Sequence, residues 1–468
     1  MHEAYDIGMI GLGVMGSNLA LNMADHGYAV LGFDMDPAKA TQLRGESGSR
    51  PIGTADSLQT LIDGLRVPRV AMMLVPAGAP VDAVIRALLP LLKPGDILID
   101  GGNSHFSDTQ LRQTMLADKG IHLLGVGISG GEEGARHGPC IMPGGDPAAY
   151  AQVQPILVAV AAQVAGEPCV SYLGPGAAGH YVKMVHNGIE YGLMQLIAES
   201  YHVMKCGLGL DNDALHAVYA RWNTQELSGY LLDITAEIFC HVDETTGKRL
   251  IDAIRDVAGQ KGTGMWTSQD AMSLHQPIPA IDTAVAMRDL STLDTERAQA
   301  SQLLVGPAGS FDGDPTALQE TLRQALYLGM LVTYAQGMAL LYAASRAYNY
   351  HLPLAQVARI WRGGCIIRAT LLQEVARAYG EQAELANLLL DTPLAREASA
   401  RHTALRTLVS TAVTLGIPVP GFMSVLGYYD AYHSAWLPAN LIQAQRDYFG
   451  AHTYERNDEK GIFHTQWD

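Results

Sequence analysis

Between Gly176 and Glu199 the chain reads GAAGHYVKMVHNGIEYGLMQLIAE, and Lys183, His186, Asn187, Glu190 and Tyr191 stand three, four, seven and eight positions along from the first of them. On a helix such offsets stack along one side. One helix would then carry an amine, an imidazole, an amide, a carboxyl group and a phenol together, groups that handle protons and hold polar ligands. The other side, with Val185, Ile189 and Leu196, is an apolar stripe that would face a core. The polar row therefore lines either solvent or a cleft. A solvated face would favour Glu and Lys over histidine, asparagine and tyrosine, and Gly174-Pro175-Gly176 stands just before the row. Both features favour a cleft wall that opens at a domain joint.

Two further patches carry polar chemistry. Ala258 to Trp266, AGQKGTGMW, is a glycine-rich loop in which Lys261 and Thr263 could hold a phosphate, although its spacing is not that of a Walker sequence. Arg288 follows in AMRDL, where a surface ion pair with Asp289 or Asp294 is the competing reading.

The elements that position these groups begin with YDIGMIGLGVMGSNLALNMADHGYAVLGFD over residues 5 to 34. The stretch reads as a strand (Ile7 to Ile10), the turn Gly11-x-Gly13-x-x-Gly16, a helix from Ser17 to His26, and a strand from Ala29 to Phe33 ending at Asp34. An acid 18 positions past the last glycine makes this the context of a dinucleotide fingerprint. Glycines permit the turn and the close approach of a pyrophosphate, and the helix N-terminus supplies free N–H groups and positive dipole. Asp34 and Asp36 can accept from ribose hydroxyls and would repel a 2′-phosphate, and no cation is evident beside them, so the site reads as built for NAD with NADP less favoured. If Asp36 only caps the helix begun by Pro37, Asp34 alone keeps that preference.

Strands and helices keep alternating: Val70 to Val75, a helix over Val81 to Leu92, Ile97 to Asp100, a helix near Asp108 to Lys119, Leu123 to Gly127, and Cys140 to Met142. The alternation predicts a parallel sheet covered on both faces, with ligands at the carboxyl ends of its strands. Gly101-Gly102-Asn103 and Ser129-Gly130-Gly131 lie at such ends and together suggest an anion cradle. From Gly179 helical periodicity dominates, as in Leu318 to Ala344 and Ala369 to Leu390. The expected architecture is an α/β Rossmann-type domain over 1–178, a large all-α domain over 179–436 and a C-terminal tail over 437–468. The tail resembles neither a bundle helix nor a disordered end. Tyr448, Phe449, Tyr454, Phe463 and Trp467 are too much aromatic surface to leave in water, so it must fold back or wrap a second subunit.

With 468 residues, 48% of them hydrophobic and 17% charged, the chain can bury large cores, and disorder is excluded. A net charge of −16 argues against nucleic-acid and anionic-membrane partners, and an anionic substrate would need a local basic cluster. No run of eighteen apolar residues and no signal-type N-terminus is evident, and five scattered cysteines fit a reducing compartment, so cytoplasm is the default. No metal-ligand spacing is present.

Across essentially the whole chain these residues closely resemble the decarboxylating 6-phosphogluconate dehydrogenases. The resemblance rests on GLGVMGSNLALNM (11–23), IDGGNS (99–104), GISGGEEGARHGP (127–139), GHYVKMVHNGIEYG (179–192), QKGTG (260–264), LPANLIQAQRDYFGAHTYE (437–455) and FHTQW (463–467). It implies oxidation and decarboxylation of 6-phosphogluconate to ribulose 5-phosphate in the pentose phosphate pathway, without a metal, in homodimers whose tails enter the partner subunit. It further implies that Lys183 is the general base at the C3 hydroxyl and Glu190 the acid that protonates C1. Ser129, Gly130, Gly131, His186, Asn187 and Asn103 would hold the carboxylate and hydroxyl end of the substrate. Tyr191, Lys261, Thr263 and Arg288 would hold the phosphate, with Arg446 and His452 arriving from the partner. Gly11, Gly13, Val14, Met15, Gly16, Asp34, Met35, Asp36, Val75 and Asn103 would form the cofactor site. The chain departs from the common NADP-type pattern where Asp34-Met35-Asp36 replaces Asn-Arg-Thr and where Gly13 replaces alanine. Pro76 and Met265 stand where lysines are usual. Two other readings are a β-hydroxyacid dehydrogenase for another sugar acid and a catalytically silent dinucleotide-sensing dimer.

Overall fold

Seven short strands carry the N-terminal part: β1 (Ile7–Ile10), β2 (Val30–Phe33), β3 (Ile52–Thr54), β4 (Val70–Met73), β5 (Ile97–Asp100), β6 (His122–Ser129) and β7 (Cys140–Gly144), in the spatial order β3-β2-β1-β4-β5-β6-β7. The structure is a computed structural model and describes residues 4–307 and 309–467. Strands β1, β4 and β5 are buried along their whole length, as expected of strands covered on both faces. Helices α1 (Val14–Asp25), α2 (Pro37–Ser47), α3 (Leu58–Asp63), α4 (Ala79–Leu88), α5 (Phe106–Ala117), α6 (Gly131–His137) and α7 (Pro147–Val160) supply the connections.

The parallel sheet holds for six strands and fails for the seventh. β7 pairs antiparallel with β6, from Gly125 opposite Gly144 to Ser129 opposite Cys140. Only Gly130 to Pro139 separate the two strands, and a parallel crossover needs about a dozen residues or more, so the chain turns back instead. Strand β3, three half-buried residues, is too short to leave a periodic signal. Helix α1 begins at Val14, ahead of the expected Ser17, because Gly13 already serves as its N-cap.

The long helix α8 (Ala178–His202) joins the two parts of the molecule. It lies directly on the sheet because glycines remove the intervening side chains. A Cβ on Gly127 would stand 2.4 Å from Lys183 Cβ, and one on Gly144 would stand 2.3 Å from Gly179 N. Its apolar side meets a 33-residue helix, Pro315–Ala347, where a Cβ on Gly337 would stand 2.4 Å from the Ile189 side chain. That helix is long and apolar enough to cross a membrane by length and composition, although Thr333 and Gln336 interrupt its apolar run. It is the centre of the helical core, with 94% of its apolar window buried. The helix expected over Ala369 to Leu390 is broken into Leu371–Glu381 and a single turn at Leu388–Leu390, whose start the Asn387 side chain caps by accepting from Leu389 N–H.

Toward its C-terminal end α8 buries Glu199, whose two oxygens accept from the Gly421 and Phe422 N–H groups at 2.7 and 3.0 Å, with Gln195 donating as well. Burial outweighs these donors and pushes its pKa up to about 7. A carboxyl raised in the folded state contributes stability that is complete below its unfolded pKa near 4.5 and lost as pH rises through about 7. Between pH 4.5 and 8 the wild-type chain should therefore lose about 3 kcal/mol of stability that a Glu199→Gln variant does not lose. Unfolding midpoints of the two proteins across that range check this.

The tail packs against itself. Residues Ala439–Gly450 form a helix, and the rest folds back on it around Asp447. This fully buried carboxylate accepts from Thr453 N–H, His464 Nδ1, Thr465 N–H and Trp467 Nε1 at 2.8 to 3.0 Å. Burial opposes the charge, but these donors prevail and hold the carboxyl well below the usual range. Tyr448 and Phe449 remain about 70% exposed in the single chain, at 67% and 72%.

Candidate functional site

A cleft of about 1090 Å³ opens where the carboxyl edge of the sheet faces the helical part. Three sets of residues wall it: the loops after β1, β4 and β5, the row on α8, and the loop Gly259 to Thr263 with Arg288. Of the row on α8, Asn187, Glu190 and Tyr191 line this space, whereas Lys183 and His186 do not. Val75, Met15 and Asn103 line it from the sheet side.

The glycine turn is built as its sequence requires. Gly11 has φ +93°, and a Cβ there would meet Leu74 O at 2.5 Å; a Cβ on Gly16 would meet Gly11 O at 1.9 Å. Gly13 has open space in front of it, and no side chain caps α1, so the first N–H groups of Val14, Met15 and Gly16 are left for a ligand. This cradle fits a pyrophosphate. Asp34 accepts from Leu12 N–H at 2.7 Å and from Asp36 N–H at 2.9 Å, while Asp36 caps α2 through Ala38 N–H and Met35 is 91% exposed. The expectation of no cation near these acids is corrected by Lys39, whose ammonium lies 3.6 Å from Asp34 Oδ2. Position 39 lies in the first turn of α2, and sequence spacing alone does not show it as a neighbour of Asp34.

Lys183, Ser129, Gly130 and His186 are buried beside these residues. Lys183 is 7% exposed and has no hydrogen-bonding partner among the described residues. Burial lowers its pKa, against the opposing pull of Glu190. Glu190 moves the other way: burial raises it, while Lys183 and Arg288 restrain the rise. His186 is fully buried and held well below its usual pKa, first by burial and then by Lys183. As a neutral ring it donates from Nδ1 to Asn187 Oδ1 at 3.1 Å and accepts at Nε2 from Ser129 Oγ at 3.3 Å. Asn187 in turn donates to Thr263 Oγ1 at 3.2 Å, so one chain of contacts links the turn after β6, helix α8 and the glycine-rich loop. Gly130 packs against Gly364 O, where a Cβ would come within 2.6 Å, whereas Gly131 is exposed.

At the other end of the cleft Arg288 stacks on Tyr191, its guanidinium carbon 3.4 Å from the ring centroid, and donates to Gly259 O at 3.1 Å. The surface ion pair considered for it does not form: Asp289 accepts from Gln260 and Asp294 pairs with Arg255. Lys261, Thr263, Tyr191 and Arg288 thus converge on one cationic corner. Arg446 and His452 do not join it within one chain. Arg446 donates to Gln443 on its own helix, and His452 stands edge-on to Phe449. His105 and Trp266, which no local sequence signal connects, meet edge-to-face at 4.9 Å in the cleft wall.

A Rossmann-type sheet with a free helix N-terminus at its glycine turn, closed by a large helical part across a polar cleft, defines a dinucleotide-binding protein with a separate substrate-facing half. Residues 6–174 match the family described as the NAD binding domain of 6-phosphogluconate dehydrogenase, and residues 179–467 match the 6-phosphogluconate dehydrogenase C-terminal domain. The chain belongs to the 6-phosphogluconate dehydrogenase family. It is 52% identical over 462 residues to the NADP(+)-dependent, decarboxylating 6-phosphogluconate dehydrogenase of Bacillus subtilis, covering 98% of each chain. It is 49% identical over 462 residues to the decarboxylating enzyme of Escherichia coli, again covering 98% of each. The 6-phosphogluconate dehydrogenase of Plasmodium falciparum, described in its apo form and with NADP+ and 6-phosphogluconate, superimposes with a TM-score of 0.94 at 41% identity, over 99% of this chain and 100% of that one.

Proposed function

We propose that the protein oxidises and decarboxylates 6-phosphogluconate to ribulose 5-phosphate, within the pentose phosphate pathway, and prefers NAD to NADP. One observation carries the reaction: the amine of Lys183 and the carboxyl of Glu190 share a helix face, and burial moves each toward its neutral form. A neutral amine is a base and a neutral carboxyl an acid, which are the two groups this reaction needs. When bound, the nicotinamide ring supplies the acceptor for the hydride from C3. Lys183 takes the C3 hydroxyl proton as that hydride departs. The resulting β-keto acid loses carbon dioxide, and the ammonium left on Lys183 stabilises the developing enolate oxygen. Glu190 then delivers its proton to C1 of the enediol. Neutral His186, fixed between Ser129 and Asn187, holds the hydroxyl and carboxylate end together with Asn103 and the turn Gly130-Gly131.

The NAD preference rests on Asp34. Its carboxylate occupies the place where a 2′-phosphate would come, and repulsion of about 1.5 to 3 kcal/mol corresponds to roughly ten- to a hundred-fold. Lys39 moderates that repulsion, while exposed Met35 offers no cation. The preference departs from the Bacillus subtilis relative, whose name gives NADP(+). We read the chain as a cytoplasmic homodimer of three parts, 1–178, 179–436 and 437–468. In it the exposed aromatic tail reaches a second copy and carries Arg446 and His452 to the cationic corner there.

A comparison of 6-phosphogluconate with gluconate tests the substrate assignment against a β-hydroxyacid dehydrogenase for an unphosphorylated sugar acid. Arg288→Ala should lower kcat/KM for 6-phosphogluconate by about 10- to 100-fold, the worth of one charge-assisted contact, and leave that for gluconate within about threefold. Equal losses on both substrates would remove the phosphate from the Arg288 corner.

A further inference from the structure

We propose that Arg112 is a positioning residue for the dinucleotide, holding together the two loops Val75 to Gly78 and Gly101 to Ser104 that wall the cleft beside the glycine turn. This rests on the dinucleotide-binding reading above. Arg112 lies on α5, is 5% exposed and does not line the cleft. Its Nε donates to Asp82 Oδ1 at 2.7 Å and its Nη2 to Gly78 O at 3.1 Å, which fixes the loop after β4. Its Nη1 lies 3.4 Å from Ser104 Oγ and 3.7 Å from Asp100 Oδ2, which fixes the loop after β5.

Neither loop has regular structure of its own to hold it. Gly78 has φ +84° and no side chain caps the helix it begins. The loops also touch, since a Cβ on Gly102 would stand 3.0 Å from Val75 O. Fully buried Asp100 accepts from Ser104 Oγ at 2.6 Å and Gly102 N–H at 3.1 Å, so the guanidinium reaches the Asn103 loop through the very carboxylate that shapes it. The same strand end is tied to α8, because His180, one turn before Lys183, donates to Asp100 O at 3.0 Å and accepts from Thr109 Oγ1 at 2.7 Å. A planar guanidinium spreads its donors over three nitrogens and so spans acceptors too far apart for the single nitrogen of an ammonium.

The test uses the full chain with NADH titrated by fluorescence in the absence of 6-phosphogluconate, alongside the KM for 6-phosphogluconate and the melting midpoint. Arg112→Met should raise the NADH Kd by about tenfold or more, because both loops lose their alignment, and raise the 6-phosphogluconate KM by several-fold less, because only Asn103 of the two loops is given to the substrate. Arg112→Lys should recover only part of the loss, and Asp82→Asn, which keeps an acceptor for Nε, should raise the Kd by about threefold. If Arg112→Met does not fold, the same split read in the other two variants decides. An unchanged NADH Kd, or equal increases in Kd and KM, would reduce Arg112 to a structural ion pair. A wild-type chain that binds no NADH would instead overturn the dinucleotide reading beneath the proposal.

Discussion

Lys183→Met is expected to lower kcat by roughly 10³- to 10⁵-fold while leaving NADH binding within a few fold. The size follows from the two tasks assigned to one amine, taking the C3 proton and then stabilising the enolate oxygen. The variant isolates chemistry from folding because methionine matches the length of the lysine stem. In addition, Lys183 has no hydrogen-bonding partner among the described residues that its loss would orphan, so no buried polar group is left unpaired. A cavity penalty is small because methionine nearly fills the volume of the lysine stem. The substitution also removes the cation that restrains Glu190, so the Glu190 pKa should rise further. Stopped-flow turnover with saturating 6-phosphogluconate and dinucleotide reads the effect. A loss of less than tenfold would mean that another group takes the proton.

The second large effect concerns the dinucleotide. Changing Asp34→Asn, Met35→Arg and Asp36→Thr together should move the ratio of kcat/KM with NADP to that with NAD by roughly 100- to 1000-fold toward NADP. One charge repulsion is removed and one charge-assisted contact is gained. Each position tolerates its change for a physical reason. Asparagine keeps an acceptor for one of the two N–H groups that Asp34 now serves, position 35 is open to solvent, and threonine can still cap α2. The change also frees Lys39 from its partner, so the same cation that now softens the preference would support the new one. A ratio that moves by less than about threefold would place cofactor choice outside this segment.

The row on α8 was legible because helical spacing alone decides which side chains share a face. The glycine turn and Asp34 were legible because their order along the chain is their order in space, from strand to turn to helix to strand. The antiparallel β7 was hidden because strand periodicity carries no direction, and the length of the connection decides it instead. Lys39 escaped notice because it reaches Asp34 from the next helix, across a distance that sequence separation does not measure. Arg112 and the edge-on pair His105 and Trp266 meet their partners only through tertiary packing, which no local pattern records. For the same reason the sequence placed Lys183 and Glu190 together but could not say how deeply Lys183 is buried. That burial is what moves both groups toward their neutral forms.

The central claim is a decarboxylating oxidation of 6-phosphogluconate with NAD preferred. Initial rates of nicotinamide reduction with that substrate, measured with NAD and NADP in parallel and with carbon dioxide release followed in the same samples, test it most directly. The expected result is one carbon dioxide per reduced nicotinamide and a kcat/KM about ten- to a hundred-fold higher with NAD. Equal or greater efficiency with NADP would contradict the role given to Asp34, and reduction without carbon dioxide would contradict the reaction itself.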